Sequence, residues 1–310
     1  MDPEEFQFYT SLSPDAFDIL YELLGGEKEL AGIKYRFDRK TPMKQIEYEH
    51  TNKGKLFITL VRLRRGLPLR DLKRCFHLSE STLSAIFYTW VRIMAIQFKR
   101  MEKAIFPSVR NQSKNPPDCY KPFSNLRCVV DCTEFKVQHS DNMEQENNTH
   151  SEYKGACTHK VQVATSVYGG LCHISEAAEG NISDRKLLMV SGPLDYVKAE
   201  EAIMTDKGFD VESILNRHGI ELLIPQFLGQ RDQFTAREVL QNKAISTARV
   251  HVERFIKMMR DFRIIRHQVP NTMADILPDI IRVCANLVMF SDPFIRWHHP
   301  DESLEEGVQK

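Results

Sequence analysis

A chain of 310 residues with 42% hydrophobic content can bury a substantial core, enough for one large domain with a smaller companion. No window approaches an uninterrupted membrane-length apolar run, and the acidic start Met1-Asp2-Pro3-Glu4-Glu5 is the opposite of a secretory signal, so the chain is expected in the cytosol or nucleus. A formal net charge of zero excludes a uniformly basic nucleic-acid binder.

The distribution of charge says more than its sum. Residues 51–100 hold eleven Lys and Arg against two acids, Asp71 and Glu80, a local excess of nine positive charges in one module. The seven cysteines form no Cys-x-x-Cys pair, and Cys128, Cys132 and Cys172 sit in apolar runs, so they read as small reduced core residues. Cys157 with His159, or Cys172 with His173, lacks the spacing of known zinc frameworks.

In chain order, Ser13-Pro14-Asp15 has the cap and N1-proline pattern of a helix start, with Phe17, Leu20, Tyr21 and Leu24 on one face and a stop at Gly25-Gly26. After a polar stretch through His50, residues 53–65 read as a helix ending at Gly66, 68–76 as a second, and Ser79 caps a third running to about Lys99. This is a helix-turn-helix pattern with its turn at His77-Leu78. In such a module the third helix presents its first exposed residues, here Glu80, Ser81 and Ser84, to base edges. Arg62, Arg64, Arg65, Arg70, Lys73 and Arg74 suit phosphate contacts. The plainer alternative is a helical bundle with a solvated basic face, and the presented face of the third helix lacks Arg and Lys.

Residues 109–123 have linker composition and separate a helical domain, 1–108, from a second domain, 124–296, followed by a polar tail, 297–310. The second domain opens on Arg127-Cys128-Val129-Val130-Asp131-Cys132-Thr133-Glu134-Phe135, a buried-strand pattern with a carboxylate in its middle. An ionised Asp there costs several kcal/mol unless a partner, a metal ion above all, compensates it. Alternation sends Val129, Asp131, Thr133 and Phe135 to one face and Val130, Cys132 and Glu134 to the other, so Glu134 cannot assist Asp131. Strands over 160–168 and 171–178 flank the turn Gly169-Gly170, and Ser183 caps a helix beginning at Asp184.

Ala202-Ile203-Met204-Thr205-Asp206-Lys207-Gly208-Phe209 repeats the strand-then-Asp pattern with a Gly to turn the chain away. A helix near 211–217, a strand at 221–225 and a polar helical segment at 235–242 lead to a helix on which Ala248, Val252, Phe255, Ile256, Met259 and Phe262 form an apolar stripe. Glu253 borders that stripe, and Arg249, Lys257 and Arg260 on its own side are expected to point outward as cations. Residues 274–289 form a last amphipathic helix. Each acid also has an ordinary reading: Asp206 as a turn residue, and Glu253 as a member of a solvated ion-pair row with Arg249 and Lys257.

Together the acids resemble something specific. Val130-Asp131-Cys132-Thr133-Glu134, Tyr153-Lys154, Gly180-Asn181-Ile182-Ser183-Asp184, Met204-Thr205-Asp206-Lys207-Gly208-Phe209 and His251-Val252-Glu253-Arg254, in that order, resemble the DDE transposase superfamily in its PIF/Harbinger-like branch, the DDE superfamily endonucleases. The likeness runs from about Phe6 to about Phe290. It implies an α/β, ribonuclease-H-like mixed sheet with flanking helices behind an all-α helix-turn-helix domain, with the first and fourth strands parallel neighbours. It carries the acidic triad onto Asp131, Asp206 and Glu253 as catalytic, metal-binding residues.

An oxygen-only site of this kind suits two Mg²⁺ or Mn²⁺ ions rather than Zn²⁺. The resemblance further implies nuclear cleavage of DNA at transposon ends and joining to target DNA, with Lys207, Arg249, Arg254, Lys257 and Arg260 as candidate backbone contacts. Animal members often carry a THAP zinc finger ahead of the helical domain and this sequence does not, so end recognition is expected to draw on a partner protein or a further N-terminal segment. A homodimer is also among the expected assemblies. Two other readings stand beside it: a domesticated transposase retained as a DNA- or protein-binding scaffold without turnover, and a ribonuclease of the same fold.

Overall fold

The computed structural model describes residues 1–33, 35, 51–139, 149–151, 154–291 and 295. The polar tail 297–310, Tyr153 and most of the acidic run from Asp141 to Glu152 lie outside the described residues.

Local chemistry sets the helical ends. Helix α1 (Pro3–Thr10), which the sequence reading did not anticipate, precedes α2 (Pro14–Leu23), where the Ser13 side chain accepts from Ala16 N–H. Helix α3 (Gly26–Leu30) follows. The helix-turn-helix consists of α4 (Asn52–Arg65), α5 (Leu69–Phe76) and α6 (Glu80–Ile105). Gly66 ends α4 at a positive φ of 65°, where a side chain would also meet Arg263, so the expected glycine stop is a steric necessity. His77 takes the left-handed conformation at the turn and Ser79 caps α6 through Thr82 N–H. Leu72 and Leu83 close the module from inside together with Ile58 and Val61.

Helix α6 is longer than expected, and its far half leaves the helix-turn-helix module. It packs against strand β4 (Leu171–Ile174) and helix α12 (Leu277–Leu287). There Arg282 of α12 pairs with Glu102 of α6 at 3.2 Å and with Glu176 at 3.0 Å, while Glu102 also meets His173 Nδ1. Residues 109–123 correct the linker expectation: they fold as α7 (Val109–Gln112) and a 3-10 turn (Asp118–Tyr120). Gln112 donates to Arg127 O at 2.7 Å and accepts from Val167 N–H at 2.8 Å, and the Tyr120 hydroxyl donates to Ala248 O at 2.8 Å. The prolines and polar residues there stop elements short instead of freeing the chain, and one hydrophobic core runs from Leu20 and Trp90 to Phe255 and Ile280.

The sheet is mixed, in the order β2 (His150–Ser151), β3 (Ala156–Thr165), β1 (Leu126–Lys136), β6 (Ala202–Met204), β7 (Glu221–Leu223), with β4 and β5 (Ala178–Glu179) also on β3. Strand β1 runs antiparallel to β3 and parallel to β6. Gly180 sits where a Cβ would lie 2.1 Å from Thr158 Oγ1 and 2.6 Å from Thr149 O, so no larger residue fits that turn.

Helices cover both faces. Val129, Phe135, Val163 and Met204 join the core that includes α10 (Ala236–Arg260) and α12. Cys128, Val130, Ala164 and Ile203 pack with Leu188 of α8 (Asp184–Val190) and Leu215 of α9 (Glu212–Arg217). A short α11 (Arg263–Arg266) follows α10. This mixed α/β sheet with helices on both faces, behind a helical helix-turn-helix region, is the ribonuclease-H-like architecture that the resemblance implied. No described helix is long and apolar enough to cross a membrane.

Candidate nuclease site

The register of β1 and β6 puts two of the three acids side by side. Val129 pairs with Met204 in parallel strands, and Asp131 and Asp206 each lie two residues farther toward the C-terminal end. In open α/β sheets that edge is where ligands gather. Helix α10 lies over the same face of β1, held by Ala248, Val252, Phe255 and Met259, and it carries Glu253 out to solvent at 57% exposure. Its capping box, Thr235 with Glu238, and its apolar stripe make one unbroken 25-residue helix of what the sequence suggested as two segments.

Asp131 is the half-buried member of the set, less exposed than Asp206 or Glu253. Burial pushes its carboxyl up to about 6, opposed by the Cys132 N–H and by Arg249, and assisted by the negative charges of Asp206 and Glu253. Cys132 N–H donates to Asp131 Oδ1 at 2.8 Å and Lys207 N–H to Asp206 Oδ1 at 2.7 Å. Glu134 faces the other way, as strand alternation requires, and is tied to Thr158 at 2.9 Å and to Lys160 at 3.6 Å. Lys160 in turn holds the Gly180–Asp184 turn through Ile182 O and Asp184.

Several cations stand elsewhere than the sequence reading put them. Arg249 does not point outward: its side chain is 11% exposed, with Nη1 2.9 Å from Asp206 and Nη2 3.8 Å from Glu253. The i, i+4 spacing with Glu253 was the signal for it, but the same spacing describes any solvated pair. Arg260 also turns inward, donating to Thr133 Oγ1 at 2.5 Å and Glu134 O at 3.1 Å, because Thr133 and Glu134 lie directly beneath that turn of α10. Arg254 and Lys257 are exposed beside Glu253, and Lys207 is exposed with its ammonium over the Phe227 ring.

In the helix-turn-helix, Arg62 is buried and stacked on Phe87, its centre 4.1 Å from the ring, and burial pushes it down to about 10. It is a packing residue and is not placed to meet a phosphate. Arg64 is partly buried against Phe262, and Arg65 lies over Phe8. Arg70, Lys73 and Arg74 are exposed on α5, Ser81 is exposed on α6 and Ser84 is half-buried. The free basic face is therefore that of α5.

The donor set fits a hard divalent cation: carboxylate oxygens only, that of Asp131 half-buried, and no thiolate or imidazole among the three acids. Among the described residues, however, no three His, Cys, Asp or Glu side chains stand close enough to cage an ion, and Arg249 occupies the space between Asp206 and Glu253.

The comparisons agree with this geometry at the level of family. The family described as "DDE superfamily endonuclease" matches residues 130–288, and "Helix-turn-helix of DDE superfamily endonuclease" matches residues 52–100. No curated protein matches the sequence significantly. The first match spans more than half the chain and includes Asp131, the strand of Asp206 and the helix of Glu253, and the second runs from the start of α4 through most of α6. These two modules imply DNA binding and a nuclease-type function: the chain belongs to the DDE superfamily endonucleases.

Proposed function

We propose that this protein is a divalent-metal-dependent DNA endonuclease of transposase type, with Asp131, Asp206 and Glu253 as its metal-holding acids. The observation that carries the reading is geometric: Asp131 and Asp206 lie at matching ends of paired parallel strands, and one guanidinium, Arg249, reaches both Asp206 and Glu253, so acids 75 and 122 positions from Asp131 in sequence gather at one sheet end. Two Mg²⁺ or Mn²⁺ ions bound there would activate water or a 3′-hydroxyl and neutralise the leaving oxygen. The chain's own part is to hold the acids. The paired strands fix Asp131 against Asp206, Cys132 N–H orients the Asp131 carboxylate, and α10, clamped by Arg260 and Tyr120, brings Glu253 over them. Exposed Arg254, Lys257 and Lys207 are suited to steer and position a DNA backbone at this edge, and Arg70, Lys73 and Arg74 to grip it at the helix-turn-helix.

Cleavage at transposon ends and joining to target DNA, in the nucleus and through a homodimer or a separate DNA-binding partner, complete the proposal. One observation favours a second reading, a DNA-binding scaffold without turnover: Arg249 partly neutralises the acids from within. Cleavage of labelled duplex DNA in Mg²⁺ or Mn²⁺ separates the two. The endonuclease reading expects metal-dependent nicking that falls more than about 100-fold in Asp131→Asn and in Glu253→Gln, beyond what loss of a merely supporting residue costs. Binding without nicking in the wild type supports the scaffold, and faster cleavage of an RNA–DNA hybrid than of duplex DNA supports a ribonuclease.

A further inference from the structure

The guanidinium of Arg249 lies beneath the carboxylates it touches. Its side chain is 11% exposed, whereas those of Asp206 and Glu253 are 53% and 57% exposed. Ala248, its neighbour in sequence, and Val252, three residues on, are fully buried, so the backbone that carries it is fixed against the sheet. Its Nε has no hydrogen-bond partner among the described residues, which leaves the two ion pairs as its principal compensation. Arg254 and Lys257, on the same helix, are exposed and share none of this.

We infer that Arg249 is a resident counter-ion of the acid site, holding Asp206 and Glu253 in place before metal arrives and limiting the DNA-free protein to one divalent cation. The inference rests on the reading of Asp131, Asp206 and Glu253 as metal-holding residues. Three ionised carboxylates and the Arg249 guanidinium leave at most two net negative charges, fewer once Arg260, which also feels Asp131, is counted, so a single divalent ion is enough to neutralise the site. A second divalent ion then enters a site with no remaining negative charge, and at separations of a few ångströms in a partly buried site that repulsion is large. The missing negative charge is supplied by a phosphodiester, so the second ion comes with DNA. Arg249 is in this sense a positioning residue, acting through the acids and not on the substrate.

The test is Mn²⁺ binding to the DNA-free full chain, followed by calorimetry and by electron paramagnetic resonance of free Mn²⁺, together with thermal unfolding in EDTA. Wild type is expected to take up one ion. Arg249→Gln should bind the first ion at least about tenfold more tightly, take up a second without DNA, and unfold at lower temperature in EDTA with recovery in Mn²⁺. Arg249→Lys, which keeps the charge, should retain the wild-type stoichiometry. If Arg249→Gln folds only with metal, rescue by Mn²⁺ and not by sodium chloride at equal ionic strength supports the inference, and failure of both to rescue overturns it.

Wild-type affinity and stoichiometry in Arg249→Gln overturn the counter-ion role, while weakened Mn²⁺ binding in Asp131→Asn and Glu253→Gln leaves the acid-site reading standing. Unchanged Mn²⁺ binding in those two variants, or none in wild type, overturns both.

Discussion

Arg260 Nη2 donates to Thr133 Oγ1 at 2.5 Å, joining the helix that carries Glu253 to the strand that carries Asp131, two residues from that acid. The same guanidinium reaches Glu134 O at 3.1 Å, so one side chain satisfies a hydroxyl and a strand-edge carbonyl at once. Arg260→Met should remove both bonds while keeping the aliphatic stem. We expect a loss of about 1–3 kcal/mol in urea denaturation, and a drop in nicking larger than that stability change explains, because Glu253 loses its fixed place above Asp131. Nicking at the wild-type rate would contradict the clamp.

The raised carboxyl of Asp131 makes a pH prediction. Its folded value of about 6 exceeds that of the unfolded chain, so the folded state binds this proton more tightly. In EDTA the contribution is fully present below about pH 4 and is lost as pH rises through about 6, on the order of 3 kcal/mol in all. Denaturation of Asp131→Asn over the same range should lack this component. Identical pH slopes in the two proteins would show that the burial does not act as described.

The phosphate contacts proposed for α5 can be tested apart from its neighbours. Replacing Arg70, Lys73 and Arg74 with Gln should weaken DNA binding and reduce the slope of log affinity against log salt by up to about 0.9 for each lost contact. Arg62→Met should leave that slope unchanged, since Arg62 is stacked on Phe87 inside the module. Fluorescence anisotropy across a salt series measures both.

Arg282 is buried between Glu102 and Glu176, and Glu102 also faces His173. Arg282→Met removes the guanidinium from this network and leaves the largely buried Glu102 carboxylate poorly compensated. A destabilisation of about 3–5 kcal/mol in chemical denaturation is expected, and Glu102→Gln in the same background should recover part of it.

Much of the architecture was legible because its signals are local. Ser79, Gly66 and the His77-Leu78 turn mark the helix-turn-helix within a residue or two, and the alternation from Val129 to Phe135 assigns faces that packing respects. The parallel pairing of the two Asp strands came from the family resemblance and agrees with the register of Val129 with Met204. What sequence could not supply was the direction of long cationic side chains. Arg249, Arg260 and Arg62 occupy positions that a helical wheel marks as peripheral, yet each reaches a nearby acid, hydroxyl or ring that compensates its burial. The segment 109–123 misled for a related reason: its polar residues are anchored by contacts to Arg127, Val167 and Ala248, tens of residues away or more.

Helix α6, capped by Ser79 in the helix-turn-helix, ends against β4 and α12 beside the sheet. Its 26 residues rise about 39 Å without a break. If the chain grips a duplex at the helix-turn-helix and nicks it at the acids, as proposed, such a strut leaves no hinge between the two and fixes the offset from the bound sequence to the nicked bond. Each residue added to the strut would swing one end by about 100° relative to the other, and mapping nick positions in such insertion variants would read the offset directly.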